Sequence, residues 1–130
     1  MRLTSNFYLH EFECRCGCEM TRDVVENVFE LSDELQVLRD LHGAIHINSA
    51  YRCKEHNSSI GSKDTSQHVL GKAADITING ISPGEVADAI EESITEGKVM
   101  FGGVGRYDTF THVDVRTNKA RWDNTKKYDQ

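Results

Sequence analysis

Several things are scarce in this chain, and each scarcity removes a class of protein. Proline occurs once in 130 residues. Neither repeats nor low-complexity runs appear, so a repeat array or a compositionally biased linker is not in view. No stretch approaches the ~20 consecutive apolar residues that a membrane-spanning helix needs. The opening residues Met1-Arg2-Leu3-Thr4-Ser5-Asn6 lack an apolar core of the signal-peptide kind, so synthesis in the cytoplasm without a secretory leader is expected. Positive charge is also in short supply: 15 Lys and Arg stand against 21 Asp and Glu, for a formal charge of −6. No basic block is available to neutralise phosphates, which argues against nucleic acid as a partner. Lys119, Arg121, Lys126 and Lys127 gather near the end, but Asp123 and Asp129 are mixed among them, and residues 118–130 read as a solvated tail.

What is present suits one globular domain over residues 1–130, expected to be monomeric. The length allows a core without covalent staples. Hydrophobic residues make up 38% and charged residues 28%, the balance of a rather polar globular protein. Four cysteines are placed unevenly, with Cys14, Cys16 and Cys18 crowded together and Cys53 apart. Reduced thiols are the default without export. The Cys-x-Cys-x-Cys spacing is not the usual Cys-x-x-Cys knuckle of a zinc site. Free or paired structural cysteines are therefore favoured over a second, structural ion on all four.

Local signals outline an α+β domain with a small, mainly antiparallel sheet and helices packed on one side. The first 20 or so residues look irregular, anchored by Phe7, Tyr8 and Phe12. Val24, Val28, Leu31, Leu35 and Leu38 then recur at helical spacing, with Val25 and Leu41 widening the stripe. Thr21 can cap this helix and Gly43 can end it. Residues 44–52 read as a strand with Ile45 and Ile47 on one face and His46 on the other. A polar loop is expected over 53–66, and a second strand from Ala73 to Ile78. Ser82-Pro83-Gly84-Glu85 carries a capping serine, an early proline and a capping-box glutamate, opening a helix that stops near Gly97. Two strands, about 99–107 and 110–117, follow around a turn at Tyr107-Asp108-Thr109.

The chemistry concentrates in two stretches. One is Ser66-Gln67-His68-Val69-Leu70-Gly71-Lys72-Ala73-Ala74-Asp75, and the other is Thr111-His112-Val113-Asp114. His68 and Asp75 are too far apart for one helical face and suit a loop-then-strand path, with Gly71 turning the backbone between them. Two imidazoles and a carboxylate form a three-ligand zinc set, leaving a fourth position for water, the pattern of a catalytic ion rather than a structural one. On a strand, His112 and Asp114 point to the same face.

Together with Ser49-Ala50-Tyr51-Arg52 upstream and Arg121-Trp122 downstream, these motifs resemble the zinc D-alanyl-D-alanine carboxypeptidase family over residues 44 to 122. That family includes D,D-dipeptidases of vancomycin resistance and phage endolysins that cut between L-alanine and D-glutamate. The resemblance implies a compact α+β fold and a zinc ion on His68, Asp75 and His112. It also implies a peptidoglycan stem peptide as substrate, bound by Arg52, which also steadies developing negative charge, with Ser66 and Tyr51 as further substrate contacts. Size and the absent leader suit a phage-type or bacterial cell-wall enzyme that acts after release from the cytoplasm.

One position departs from the family pattern. The general base of many members stands three residues before the last histidine, where this chain has Thr109; Phe110 occupies the site of a catalytic histidine found in other relatives. Asp114, on the face of His112, is the preferred replacement, and Asp108 in the turn is the second. Either can instead orient a ligand imidazole from behind. His56 is a third polar candidate or simply a loop histidine bonded to backbone. The departure keeps an alternative open: a zinc-stabilised cell-wall or protein-binding module without turnover, as in the related fold of the hedgehog amino-terminal domain.

Overall fold

The computed structural model describes residues 1–126. Helix α1 spans Arg22–His42, capped by the Thr21 hydroxyl, which accepts from the Val24 N–H, and ended at Gly43 in a positive-φ conformation. Its stripe Val24, Val28, Leu31, Leu35 and Leu38 is buried as the periodicity requires. Leu41 is not part of it: this side chain is exposed, and in the same turn it is His42 that reaches Ser93, its Nε2 lying 3.0 Å from the Oγ. Ahead of α1, Phe7 and Phe12 are buried and meet edge to face at 6.1 Å around a short 3-10 turn, Leu9–Phe12. Tyr8, expected as an anchor with them, lies exposed.

Five strands form one sheet in the order β1-β2-β4-β3-β5, with β1 Ile45–Ser49, β2 Ala73–Ile78, β3 Gly103–Arg106, β4 Thr111–Asp114 and β5 Ala120–Asp123. All neighbours are antiparallel except β3 and β5. Ile47 faces the core and His46 faces solvent, as the two-residue period demands. Strand β1 is shorter than expected, because the chain turns away after Ser49 to reach the site. Strands β3 and β4 are likewise shorter, joined through residues 107–110.

Two segments differ from the sequence expectation in kind. The polar stretch after Cys53 contains a helix, α2, Lys54–Ser59, followed by a 3-10 turn at Gln67–Leu70. Its six residues carry no apolar stripe, so helical periodicity has nothing to show there; one buried side chain, Asn57, ties it down. The second is the tail, where Ala120–Asp123 pairs with β3 as an edge strand. Arg121 is anchored through Nε to Glu91 Oε2 at 2.7 Å and through Nη1 to the Gly102 carbonyl at 2.6 Å. Mixed charge is what an edge strand shows when one face is wet, so composition read it as solvated. Lys127 and Asp129 lie outside the described residues.

Helix α3, Pro83–Thr95, begins with the expected reciprocal capping box between Ser82 and Glu85. It packs through Val86, Ala87 and Ile90 against β2, β3 and β4, and α1 packs beside it, so the helical layer covers one face of the sheet.

Candidate metal centre

Sheet register brings the first two ligands together. Asp75 of β2 and His112 of β4 are paired across the antiparallel ladder, so their side chains leave the sheet on the same face. His68 comes from the 3-10 turn before β2. Ser66 caps that turn, its hydroxyl accepting from the His68 N–H at 3.2 Å. Gly71 ends it at φ +77°, and a Cβ there would lie 2.9 Å from Val24 Cγ1 and 3.0 Å from the Val24 carbonyl. Glycine thus supplies both the left-handed turn and the close approach to α1 that aims His68 inward.

The three side chains are buried and converge. Asp75 Oδ1 lies 3.2 Å from His68 Nε2 and 3.1 Å from His112 Nδ1, and the imidazole centroids are 5.1 Å apart. Each ring is oriented from behind by a pure acceptor. His68 Nδ1 donates to the Ala50 carbonyl at 2.6 Å, and His112 Nε2 donates to Asp114 Oδ2 at 2.7 Å. In neutral rings these bonds consume the only N–H, leaving lone pairs on His68 Nε2 and His112 Nδ1. Two lone pairs and a carboxylate facing one another repel unless a cation lies between them. The donor set therefore fits a divalent ion with mixed nitrogen and oxygen ligands, and the outer bonds fix which atoms bind it.

Electrostatics say the same. Burial alone would raise the Asp75 pKa, but the bonds from His112 and His68 outweigh it and hold the carboxyl well below its usual range. Burial alone would lower that of His112, yet the flanking Asp114 and Asp75 raise it above the ordinary histidine value. Without metal, these two carboxylates favour a proton on His112, positive charge standing where the cation would.

A cleft of about 560 Å³ opens in front of these ligands, walled by Arg52, Lys63, Tyr107, Phe110, Arg116 and Trp122. Arg52 is held by two of its nitrogens: Nε donates to Asn57 Oδ1 at 3.1 Å and Nη1 to Ser49 Oγ at 3.3 Å. Burial lowers its pKa, and attraction to Asp75 acts the other way; a guanidinium stays charged in any case. Tyr107 stacks on Phe110 with centroids 4.4 Å apart and accepts from Trp122 Nε1 at 2.9 Å. Trp122 in turn lies 4.8 Å from His112.

The remaining sequence candidates fall in different places. Ser66 lines the cleft while capping its turn. Tyr51 is buried beside the cysteines and not on the cleft wall; burial first, then the neighbouring thiols, push its hydroxyl up to about 12. Asp114 is completely enclosed. Its Oδ1 accepts from the Arg116 N–H and Nε, and its Oδ2 from Arg116 Nη2 and His112 Nε2. Burial would raise its pKa, but these donors hold it well below the carboxylate range. Asp108 is exposed on the turn and accepts from the Lys126 N–H at 3.2 Å. His56 sits half-buried on α2, away from the cleft wall. Among the described residues, Asp75 is the one carboxylate lining the cleft.

Three contributors, Asn57, Arg116 and Trp122, were not legible as site residues in the sequence pattern. Asn57 is completely buried, and its Nδ2 donates to the Lys63 carbonyl while its Oδ1 holds Arg52. Arg116 grips Asp114 and lies 5.4 Å over the Trp122 ring. A lone tryptophan in a charged tail was the available clue. The four cysteines, favoured as free or paired, form no disulfide and converge into one cluster.

Two imidazoles and a carboxylate at the floor of an open cleft, on an α+β sheet, define a mononuclear centre of the three-ligand, hydrolytic kind. The chain belongs to the peptidase M15 family, a family of zinc-dependent peptidases, whose model matches residues 5–114. That range takes in the cysteine-bearing amino-terminal segment and all three ligands, and ends before β5. Curated proteins give no match to the chain.

Proposed function

We propose that this protein is a zinc metallopeptidase that hydrolyses peptidoglycan stem peptides, as a D-Ala-D-Ala carboxypeptidase or an endolysin-type endopeptidase, and reaches the cell wall after release from the cytoplasm. The observation that carries the reading is the pairing, in one cleft, of a buried three-donor centre with Arg52, whose Nη2 takes part in no hydrogen bond among the described residues. Zinc bound to His68, Asp75 and His112 would supply an activated water and polarise the scissile carbonyl. Arg52, braced by Asn57 and Ser49, presents its free edge to a substrate carboxylate or to oxygen gaining charge in the transition state. Tyr107, Phe110 and Trp122 form an apolar wall against which a peptide side chain can lie. Asp114 is assigned to orienting His112, because all its acceptor positions are taken inside the protein. Zinc-loaded protein incubated with purified muropeptides should release new amino groups, and His68→Ala should lose the ion of the cleft and activity together. Full hydrolysis by that variant would sink the assignment.

A second reading is favoured by one observation. Among the described residues, the cleft wall offers no carboxylate beyond the ligand Asp75 to move a proton, and Asp108 is engaged with the Lys126 backbone. A binding module that keeps the zinc geometry without turnover would look like this. Stoichiometric zinc, retention on insoluble cell wall and no product from any muropeptide would select it.

A further inference from the structure

Away from the cleft, residues 39 apart in the chain bring four sulfurs together. Cys14, Cys16 and Cys18 come from one turn before α1, closed by the Gly17 N–H donating to the Cys14 carbonyl at 3.0 Å with Gly17 at φ +85°. Cys53 comes from the opposite side, at the start of α2. The Sγ atoms of Cys14 and Cys16 are 3.3 Å apart, Cys16 and Cys53 3.4 Å, and Cys14 and Cys53 3.8 Å. All four sulfurs lie within 4.8 Å of one another.

These spacings discriminate between the possible states of the cysteines. A disulfide needs sulfurs about 2.05 Å apart, and no pair approaches that. Tetrahedral zinc with bonds of about 2.3 Å places its sulfur ligands about 3.8 Å apart, close to the 3.3, 3.4 and 3.8 Å found here. Simple burial of small apolar side chains does not account for the set either, since Cys16 is exposed and Cys18 and Cys53 are only half-buried. The Cys53 N–H also points at Cys14 Sγ, 3.4 Å away, as backbone donors do toward metal-bound thiolates.

We propose that Cys14, Cys16, Cys18 and Cys53 hold a structural zinc ion as a closed tetrathiolate site, separate from the cleft centre. Four protein ligands leave no open position, so this ion has no substrate role. Its effect is mechanical. The Tyr51 N–H donates to the Phe12 carbonyl and the Arg52 N–H to the His68 carbonyl, both at 3.1 Å. An ion on Cys53 therefore ties the irregular amino-terminal segment to the short stretch that carries Arg52 and abuts His68. Without it, the three-cysteine turn is held there by the Arg15 side chain, which donates to the Asn48 carbonyl at 2.7 Å, and by weak thiol contacts.

The proposal does not depend on hydrolytic activity, and zinc content tests it directly. Wild-type protein prepared under reducing conditions should carry about two zinc ions per chain, and His68→Ala should keep about one, on the closed site. Replacing that remaining ion with cobalt should produce strong sulfur-to-cobalt charge-transfer absorption, and titrating the thiols with a mercurial should release the zinc in step. Cys16→Ser, at the exposed position, should lose the charge-transfer band while keeping the cleft ion. A His68→Ala protein that is folded but metal-free, a cobalt form without the thiolate band, or masses showing disulfides in the reduced preparation would each overturn the site. Absence of muropeptide hydrolysis alongside a retained thiolate ion would fault the proposed activity and leave this site standing.

Discussion

Removing the Asp114 carboxylate should weaken zinc binding through a residue that never touches the metal. Asp114 accepts from His112 Nε2 at 2.7 Å and from Arg116 Nε and Nη2 at 2.8 and 2.7 Å, with no exposure to solvent. In Asp114→Asn the shape is kept, but the amide oxygen serves two of the four donors and the amide NH2 opposes the other two. His112 then loses the partner that keeps the hydrogen on Nε2 and the lone pair on Nδ1. Loss of an outer-sphere carboxylate of this type costs 10- to 100-fold in metal affinity, or about 1.4–2.7 kcal/mol. Breaking a fully buried ion pair costs roughly 3–5 kcal/mol of stability. The Arg116 side chain is 28% exposed and partly rehydrates, so about 2–3 kcal/mol is the better figure here. Competition with a chromophoric chelator gives the zinc affinity, and turnover at saturating zinc gives the rest. Weakened zinc binding with turnover largely restored at high zinc is the expected outcome. Unchanged affinity with a collapse in turnover and loss of one limb of the pH profile would refute the orienting role and make Asp114 the proton carrier.

Three further outcomes are expected. Arg52→Ala should lower kcat/KM by about 10²–10³ with zinc content unchanged, and Asn57→Ala should show a smaller loss of the same kind; equal activity in Arg52→Ala would remove the anchor from the cleft. Gly105→Ala places a methyl 2.6 Å from Trp122 Cζ2, so the ring must move at a cost of about 1–3 kcal/mol, seen as a lower melting temperature and changed tryptophan fluorescence; an unaltered spectrum would argue against the packing. In metal-free protein, His112 has a raised pKa, so its contribution to stability is complete below about pH 6.5 and is lost as pH rises through the folded value, while that of Asp75 and Asp114 is present above about pH 4 and is lost as pH falls through their depressed values. Below the raised His112 pKa zinc must displace a proton, and calorimetry there in buffers of different ionisation enthalpy should record its release; heats independent of buffer would contradict the raised value.

Much of the framework was legible because it rests on local rules. The apolar stripe of α1, the capping box at Ser82, the strand Ala73–Ile78 and the alternation of Ile45, His46 and Ile47 each follow from a few neighbouring residues. The ligand trio was legible as a motif, since His68, Gly71 and Asp75 carry a spacing that loop-then-strand geometry requires. Helix α2 was not, because six polar residues show no period, and β5 was not, because an edge strand held by Arg121 and Glu91 looks like any mixed-charge tail.

By itself the sequence determined that His68, Asp75 and His112 could bind zinc, that α1, α3 and the strands β1 to β4 would form, and that His112 and Asp114 share a face. Only the tertiary structure decided what those residues do. The Ala50 carbonyl and Asp114 select the ring nitrogens that face the metal. Asn57, buried beneath Arg52, aims the guanidinium into the cleft. Cys53 meets the Cys14 turn across 39 positions of chain. The physical reason is common to all three: helical and strand periods are written between neighbours, whereas tautomer, aim and convergence depend on contacts that exist only once distant segments have packed.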